Sequence, residues 1–390
     1  MRAKLILKRR EDLRLRSGHL WIFSNEVDGI IGNAENGDMI DVCDSSETII
    51  GTGFYNKNSL IAVRMLSNSN VEELYTLFKE KLYKAFELRK IFYPALDSFR
   101  MVFSESDYMP GLIIDKYNNT FVLQTYSFGM QRNISLIVKI LQEDFGAENI
   151  FTKHEPYFRK MEGLSEEDEI YLGERKSEII SDGSLSFNIN FETGQKTGFF
   201  FDQRDNRFFI EKIVKDKTVL DAFCNSGGFG MHAAKAGAAS VVFVDSSASE
   251  IENTKKNIEL NNLNGSFSLF EEDVFDFLNK EINEQKKYDV VMVDPPAFAK
   301  SKKQIAIATK GYEKLNKRAL QIVAKNGFLV TSSCSHFINR SAFLEIIVDA
   351  SRKANVNIQL VHFAGEALDH PQLPAMPETS YLKFAVFKVN

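Results

Sequence analysis

The chain is 390 residues long, 44% hydrophobic and 26% charged, the balance of an ordinary soluble globular protein, and it exceeds what one core usually holds, so two or three domains are expected. No apolar run approaches the roughly 20 residues of a membrane span, and the charged stretch 1–10 is followed by no apolar segment. This excludes a membrane protein or a secretory signal and makes the cytoplasm the natural compartment. Cys43, Cys224 and Cys334 are odd in number and far apart, which argues against a disulfide framework and a metal cluster.

A formal net charge of −5 does not advertise nucleic-acid binding, but the charge is uneven along the chain. Residues 1–20 carry Arg2, Lys4, Lys8, Arg9, Arg10, Arg14 and Arg16 against Glu11 and Asp12, which reads as a solvated basic edge or as a local positive field.

Residues 1–70 alternate short β-type runs (4–8, 39–43, 48–55, 60–66) with Gly/Asn/Asp/Ser turns, which predicts a small β-barrel or sandwich. From 71 to 92 the period becomes helical through Leu74, Leu77, Phe78, Leu82, Ala85, Phe86 and Leu88, and Pro94 stops it. Strands at 100–104, 111–115 and 121–125, a helix at 134–143 and a strand at 149–152 then predict a compact α+β unit. Residues 162–178 turn acidic and loop-like, as a linker does. Residues 179–190 read as a hairpin turned by Asp182-Gly183, a dipeptide that accepts positive φ. From Thr218 onward strands at 218–223, 240–245, 266–270, 288–294, 327–332, 356–362 and 381–388 alternate with helices. That order means a mostly parallel sheet covered on both faces.

Open sheets of this kind bind ligands at the carboxyl ends of their strands. The first strand runs into Cys224-Asn225-Ser226-Gly227-Gly228, where small residues admit a ligand close to the backbone and a helix start offers free N–H groups. The full G-x-G-x-x-G spacing is missing, so a cofactor without a pyrophosphate fits better. Asp245, 24 residues after Asp221, suits two ribose hydroxyls, and Ser246 follows it. Asp273 is placed either to meet an adenine amino group, with Val274 beside it, or to cap the next helix. Four carboxylates at successive strand ends, Asp221, Asp245, Asp273 and Asp294, carry more weight than any one.

This series resembles the class I S-adenosylmethionine-dependent methyltransferase fold. The wording around it is similar to that of bacterial 23S rRNA cytosine-C5 methyltransferases of the large-subunit methyltransferase I type. The likeness rests on Ser17-Gly18-His19-Leu20-Trp21-Ile22-Phe23, on Glu105 to Asp115, on Gly194-Gln195-Lys196-Thr197-Gly198-Phe199-Phe200-Phe201-Asp202-Gln203-Arg204-Asp205-Asn206-Arg207, on Asp294-Pro295-Pro296-Ala297-Phe298, on Ser333-Cys334-Ser335 and on Asp369-His370-Pro371. It departs at Ala297, where the family usually has Lys, and at Tyr108, where it has Gly. The resemblance implies an α/β, Rossmann-like methyltransferase domain at 178–390, an RNA-binding PUA-like barrel at 1–70 and a small α+β middle domain at 71–177. It also implies S-adenosyl-L-methionine as cofactor and ribosomal RNA, 23S above all, as partner, with no membrane involved and a homodimer left open. Cofactor contacts fall to Phe200, Asp202, Gln203, Arg204, Asp221, Phe223, Asn225, Gly227, Gly228, Asp245, Ser246, Asp273, Val274, Asp294 and Pro295. For Lys196, Asp202 and Arg204 a salt-bridged helix start is the plainer alternative.

Catalysis falls to Cys334 and Asp294. C5 of cytosine is a poor nucleophile, and a thiolate added at C6 makes it an enamine that can take a methyl group. A thiol of ordinary pKa is already partly ionised at neutral pH. Asp294 would hold N3 and the exocyclic amine, while Pro295 and Pro296 remove two N–H donors and leave carbonyls facing the base. No residue declares itself as the base that removes the C5 proton. Cys43 reads as core, and Cys224 as packing or cleft lining. The 33 Phe and 12 Tyr are mostly core, with some left for stacking on bases extruded from irregular RNA. Two other functions use the same sheet: methylation of another base atom such as a guanine nitrogen, which needs no cysteine, and RNA-binding assembly without catalysis.

Overall fold

A computed structural model of the chain describes residues 2–192, 197–299 and 301–390. It forms two compact units. The first contains Met1–Ile180, Ile189–Phe201 and Leu368–Thr379, and the second Ser181–Asn188, Asp202–Ala367 and Ser380–Asn390.

The first unit holds two sheets. A six-stranded sheet has the order Trp21–Phe23, Ile61–Ser67, Ile49–Tyr55, Met39–Cys43, Lys4–Leu7, Val27–Ile31. Lys4–Leu7 pairs parallel with Met39–Cys43, and the alternating side chains of these strands bury Leu5, Leu7, Ile22, Ile40, Val42 and Val63 together with Met376. The strands Trp21–Phe23 and Val27–Ile31 escaped the sequence reading because the first is only three residues long and the second is interrupted by Asp28-Gly29. The basic N-terminal edge is neutralised in part within this unit: Arg2 pairs with Asp41 at 2.8 Å, Arg14 with Glu26 at 2.6 Å and Arg16 with Asp12 at 2.6 Å, while Lys8, Arg9 and Arg10 are exposed.

The other sheet of this unit runs Ile170–Leu172, Asn149–Thr152, Thr120–Thr125, Leu112–Tyr117, Ser98–Phe103. Helix Leu74–Phe92 begins three residues later than the period predicted and buries Phe78, Leu82, Ala85 and Arg89, one stripe of its surface. Phe78, Leu82 and Ala85 pack with Ile137, Ile140 and Leu141 of helix Ile134–Phe145 over Phe99, Ile114 and Phe121. Arg89 is fully buried and meets Asp107 through two bonds of 2.5 and 2.7 Å. The acidic stretch expected to be a linker instead supplies the edge strand Ile170–Leu172, antiparallel to Asn149–Thr152. Its sequence is too short and charged to show a strand period.

The second unit carries a seven-stranded sheet. Its strands are β1 (Thr218–Ala222), β2 (Ser240–Asp245), β3 (Ser266–Glu271), β4 (Tyr288–Val293), β5 (Val323–Ser333), β6 (Ile358–Ala364) and β7 (Lys383–Val389). The order is β3-β2-β1-β4-β5-β7-β6, and only β7 runs antiparallel to its neighbours. Its helices are α1 (Arg204–Ile210), α2 (Gly228–Lys235), α3 (Ala248–Leu260), α4 (Val274–Asn283), α5 (Ile305–Ile322) and α6 (Arg340–Ala354). Leu220, Ala222, Val291, Val293 and Leu329 pack under α4, α5 and α6. Residues between them on β1 face the other way, toward α2. There Gly230 lies so close to Phe243 that an added Cβ would stand 2.2 Å from the ring. β4 is apolar from Val290 to Val293 because a parallel strand covered on both faces has no polar side.

The hairpin Glu178–Ser181 and Ser186–Ile189 turns at Asp182-Gly183, with Gly183 at φ 108°. Asp182 Oδ1 accepts from the amides of Ser184 and Leu185, and its Oδ2 lies 2.7 Å from Nε2 of the fully buried His232 on α2. Nδ1 of the same ring is 2.6 Å from Glu211. Burial alone would raise the Asp182 carboxyl, but the His232 ring outweighs it and holds the group at about 2. Because that lies below the ordinary value of 3.8, the stabilisation is present above 3.8 and is lost as pH falls toward 2. Urea denaturation between pH 5 and pH 2 is expected to show the native chain losing about 2 kcal/mol more than Asp182→Asn; equal losses would remove this anchor from the account.

Candidate active site

The polar residues singled out in the sequence gather where β1, β2, β4 and β5 end. β1 leaves the sheet through a sharply turned loop, with Phe223 at φ 63°, Asn225 at φ 47° and Gly227 at φ 83°. Phe223 was expected to close the strand. It instead takes a left-handed conformation that costs a bulky residue about 1–3 kcal/mol and is characteristic of ligand-binding turns. Glycine is required at two places in this loop. A Cβ on Gly227 would meet Thr254 at 2.7 Å, and one on Gly228 would meet the Arg207 guanidinium at 2.6 Å. The two glycines let Thr254 and Arg207 close directly against the backbone where α2 begins.

Carboxylates hold this loop. Asp221 is buried, and its Oδ2 accepts from the Gly230 amide at 2.7 Å, tying β1 to the first turn of α2. Burial pushes its pKa up to about 7, the Asp294 charge adds to the rise, and the Gly230 amide and Arg207 oppose it. Asp245 at the end of β2 accepts from Asn225 N and Ser247 N, both at 3.0 Å. Ser246 beside it is exposed. Asp273 is the N-cap of α4, its Oδ1 accepting from Phe275 and Asp276, so the capping alternative holds for that oxygen. Val274 is buried beneath it.

Asp294 follows β4 directly. Gln203 donates to Asp294 Oδ2 at 3.0 Å and to Ser332 Oγ at 3.3 Å, joining the end of β4 to the end of β5. Asn206 in turn donates to Gln203 Oε1 at 2.7 Å and to Gly365 O at 3.1 Å. Burial lifts the Asp294 carboxyl to about 6, and the charge of Asp202 adds to this, while Arg207, Gln203 and Ser332 work against it. Asp202 receives the Tyr381 hydroxyl at 2.5 Å. Pro295 is buried and Pro296 exposed. Arg204 is buried in the first turn of α1. Phe200 belongs to the segment that packs with the first unit, and Gly194, Gln195 and Lys196 lie outside the described residues.

Cys334 sits just past β5 and is the one partly accessible cysteine, whereas Cys43 and Cys224 are buried and burial pushes both of their thiols up. The turn around it is braced from every side. Ser333 Oγ accepts from Ser335 N at 3.3 Å, and Ser335 Oγ lies 2.9 Å from the Tyr312 hydroxyl and 3.3 Å from Ala299 N. Ser335 O accepts from Lys383 Nζ at 2.6 Å. Lys383 stands opposite Ser333 in the β5–β7 register, and its second bond, 2.5 Å, goes to Tyr381 O. Burial lowers its pKa to about 8, and interaction with Cys334 works against that fall.

Sequence reasoning missed Arg207, Tyr381 and Lys383. A lysine entering an otherwise apolar strand, Lys383-Phe384-Ala385-Val386, was the available signal, since such a group is seldom buried without a partner. Arg207 closes the stretch Gly194 to Arg207 that carries the family resemblance, but no role was read for it. Its burial depresses its pKa, while Asp182, Asp202 and Asp294 favour its charge.

The arrangement suits a small cationic nucleoside cofactor. A sharply turned glycine loop leads into α2 at Gly227-Gly228, a carboxylate stands at the end of β2, and two carboxyls that burial holds near neutrality would gain from a neighbouring positive charge. Residues 5–68 match the family described as PUA-like domain, and residues 169–388 match S-adenosylmethionine-dependent methyltransferase. Over 389 residues the chain is 35% identical to ribosomal RNA large subunit methyltransferase I of Aliivibrio fischeri, covering 98% of each protein. It is 36% identical to the Vibrio campbellii protein of that name over the full length of both. Among solved structures, a SAM-dependent methyltransferase from Streptococcus mutans superposes over the whole of both chains with a TM-score of 0.84 at 21% identity. The tRNA m1G37 methyltransferase of M. jannaschii has a TM-score of 0.52 at 18% identity, covering 88% of this chain and 87% of its own. At these identities the two structures bear on fold alone.

Gly227→Ala forces both a strained φ and a clash with Thr254. Calorimetry should show S-adenosylmethionine bound at least about tenfold more weakly, with the thermal midpoint lowered by only a few degrees. Unchanged affinity would place the cofactor elsewhere.

Proposed function

Because this chain belongs to the ribosomal RNA large subunit methyltransferase I family and is an S-adenosylmethionine-dependent rRNA methyltransferase, we propose that it methylates C5 of a cytosine in 23S rRNA through a covalent bond from Cys334 to C6. The observation that carries this reading is the setting of Cys334: a partly accessible thiol, in a turn fixed by four hydrogen-bonded groups, at the strand end next to the one that carries Asp294. A structural cysteine needs no such bracing.

The cofactor supplies an electrophilic methyl group on a sulfonium sulfur, held by the Gly227-Gly228 turn, Asp245, Asp221 and the segment Asp202-Gln203-Arg204. Cys334 as thiolate adds to C6, and the electron pair of the C5–C6 bond becomes available at C5. Asp294, oriented by Gln203, accepts from the cytosine amine and so fixes the ring, while the negative charge that thiolate addition places on the ring is taken up at N3 and O2. After methylation the C5 proton leaves to a base, the double bond re-forms and the thiolate departs, so the enzyme is regenerated. Lys383 favours the thiolate by its charge, which is present below about 8 and lost above it. Barrel residues 1–70 serve as the RNA-binding PUA-like domain, 71–177 as the middle domain and 178–390 as the methyltransferase domain.

Mass mapping of rRNA methylated in vitro tests the chemistry. Cys334→Ala should abolish 5-methylcytidine while S-adenosylmethionine binding persists, and RNA carrying 5-fluorocytidine, which cannot shed a C5 proton, should form a denaturation-resistant adduct with the native chain only. Methylation surviving in Cys334→Ala would favour a base nitrogen as the target.

Two titrations test the electrostatics. The alkylation rate of Cys334 against pH should shift its midpoint upward by about one unit in Lys383→Met and return in Lys383→Arg; an unmoved midpoint would leave Lys383 a structural role. Single-turnover methylation should rise with pH through about 6 as Asp294 ionises, a limb that Asp294→Asn should lack.

A further inference from the structure

Three of the seven N-terminal basic residues are spent on ion pairs, and a longer run of positive charge with few acids lies elsewhere. Residues 301–321 carry Lys302, Lys303, Lys310, Lys314, Lys317 and Arg318 against one acid, Glu313, which is taken by Lys353 at 2.6 Å. Lys310, Lys314, Lys317 and Arg318 recur at i, i+4, i+7 and i+8, so they share one face of α5. None of the four has an ion pair among the described residues.

Where α5 meets the second half of α4, this face borders a cavity of about 270 Å³ lined by Asn279, Ile282, Asn283, Lys314, Lys317, Arg318 and Gln321, with no carboxylate among them. Lys314 and Arg318 both ride over the Phe275 ring, at 5.6 and 5.4 Å, which holds their charged ends beside the opening. One terminal nitrogen of Arg318, Nη1, is buried without a hydrogen-bond partner. A buried guanidinium donor left unsatisfied is unfavourable, and a bound anion would satisfy it. A pocket of cations and amide donors, with one donor waiting, suits phosphate oxygens.

We infer that the exposed face of α5 and the cavity beside α4 bind the phosphate backbone of the RNA substrate. The basic positions begin directly after the loop that follows Asp294, at Lys302, and run along the helix to the cavity. From Lys303 to Arg318 the helical stretch spans about 22 Å at 1.5 Å per residue. Contacts of this kind set the register of the nucleic acid and read no sequence. The inference rests on the rRNA reading above and adds the surface that carries the strand away from the reacting base.

The test is binding of an unmodified large-subunit rRNA transcript over a range of salt, with S-adenosylmethionine binding measured in parallel. The double variant Lys314→Gln/Lys317→Gln and the triple that adds Arg318→Gln should keep cofactor affinity. They should bind the transcript about tenfold more weakly near 150 mM salt, and the slope of log K against log salt should flatten by about one unit for each phosphate that the variant no longer neutralises. The double variant leaves Arg318 on Phe275 and decides the matter if the triple does not fold. Variants with native affinity and slope would overturn this surface while leaving the enzyme an RNA methyltransferase. A native chain that fails to bind or methylate the transcript would overturn the RNA reading itself, and this inference with it.

Discussion

Burial of the central sheet on both faces is the constraint from which the rest follows. β1 and β4 have no solvated side, so polar chemistry can enter only where the strands end. The second unit places Asp221, Asp245, Asp294 and Cys334 at such ends, and helices carry the strands back without contributing to the cleft except at their first turns. The bond from Gly230 N to Asp221 fixes where α2 starts, and with it the position of the Gly227-Gly228 turn. The geometry there is tightly set, because Gly227, Gly228 and Gly230 are each packed too closely to admit a methyl group.

Putting carboxyls in such a place has an electrostatic cost that the site turns to use. Asp221 and Asp294 are each lifted toward neutrality by burial, and each lies within the field of other acids. Arg207 beneath them offsets part of that cost. What remains makes the pocket most comfortable with a further positive charge, the signature of a sulfonium ligand rather than a phosphate-bearing one. Lys383 shows the converse arrangement: an amine whose burial weakens its charge, placed beside a thiol that is useful when ionised. Each group is held close to its own switching point, where a proton or a charge moves at small cost.

Much of this was legible in the sequence, for a physical reason that also marks where legibility ends. Strictly alternating elements after Thr218 gave the seven strands to within a few residues, because long apolar runs and helical periods are local properties. The acids at strand ends stood out for the same reason. Strand Ile170–Leu172 was not legible, since an edge strand of three residues owes its form to its partner Asn149–Thr152 and not to its own composition. Lys383 and Tyr381 were read only as parts of a terminal strand, because their relation to Cys334 and Asp202 exists only once β7 inserts antiparallel beside β5.

Charge shows the same division between local and assembled properties. Neither the net charge of −5 nor the count of basic residues in the first 20 says how much positive charge is left on a surface after folding. Folding pairs Arg2, Arg14 and Arg16 with acids distant in sequence or one turn away, whereas α5 keeps its cations on one face and pairs them with no acid among the described residues. A polyanion responds to unpaired charge on a surface and not to charge summed over a sequence. An acidic protein can therefore hold RNA firmly, provided folding removes positive charge from some faces and leaves it concentrated on one.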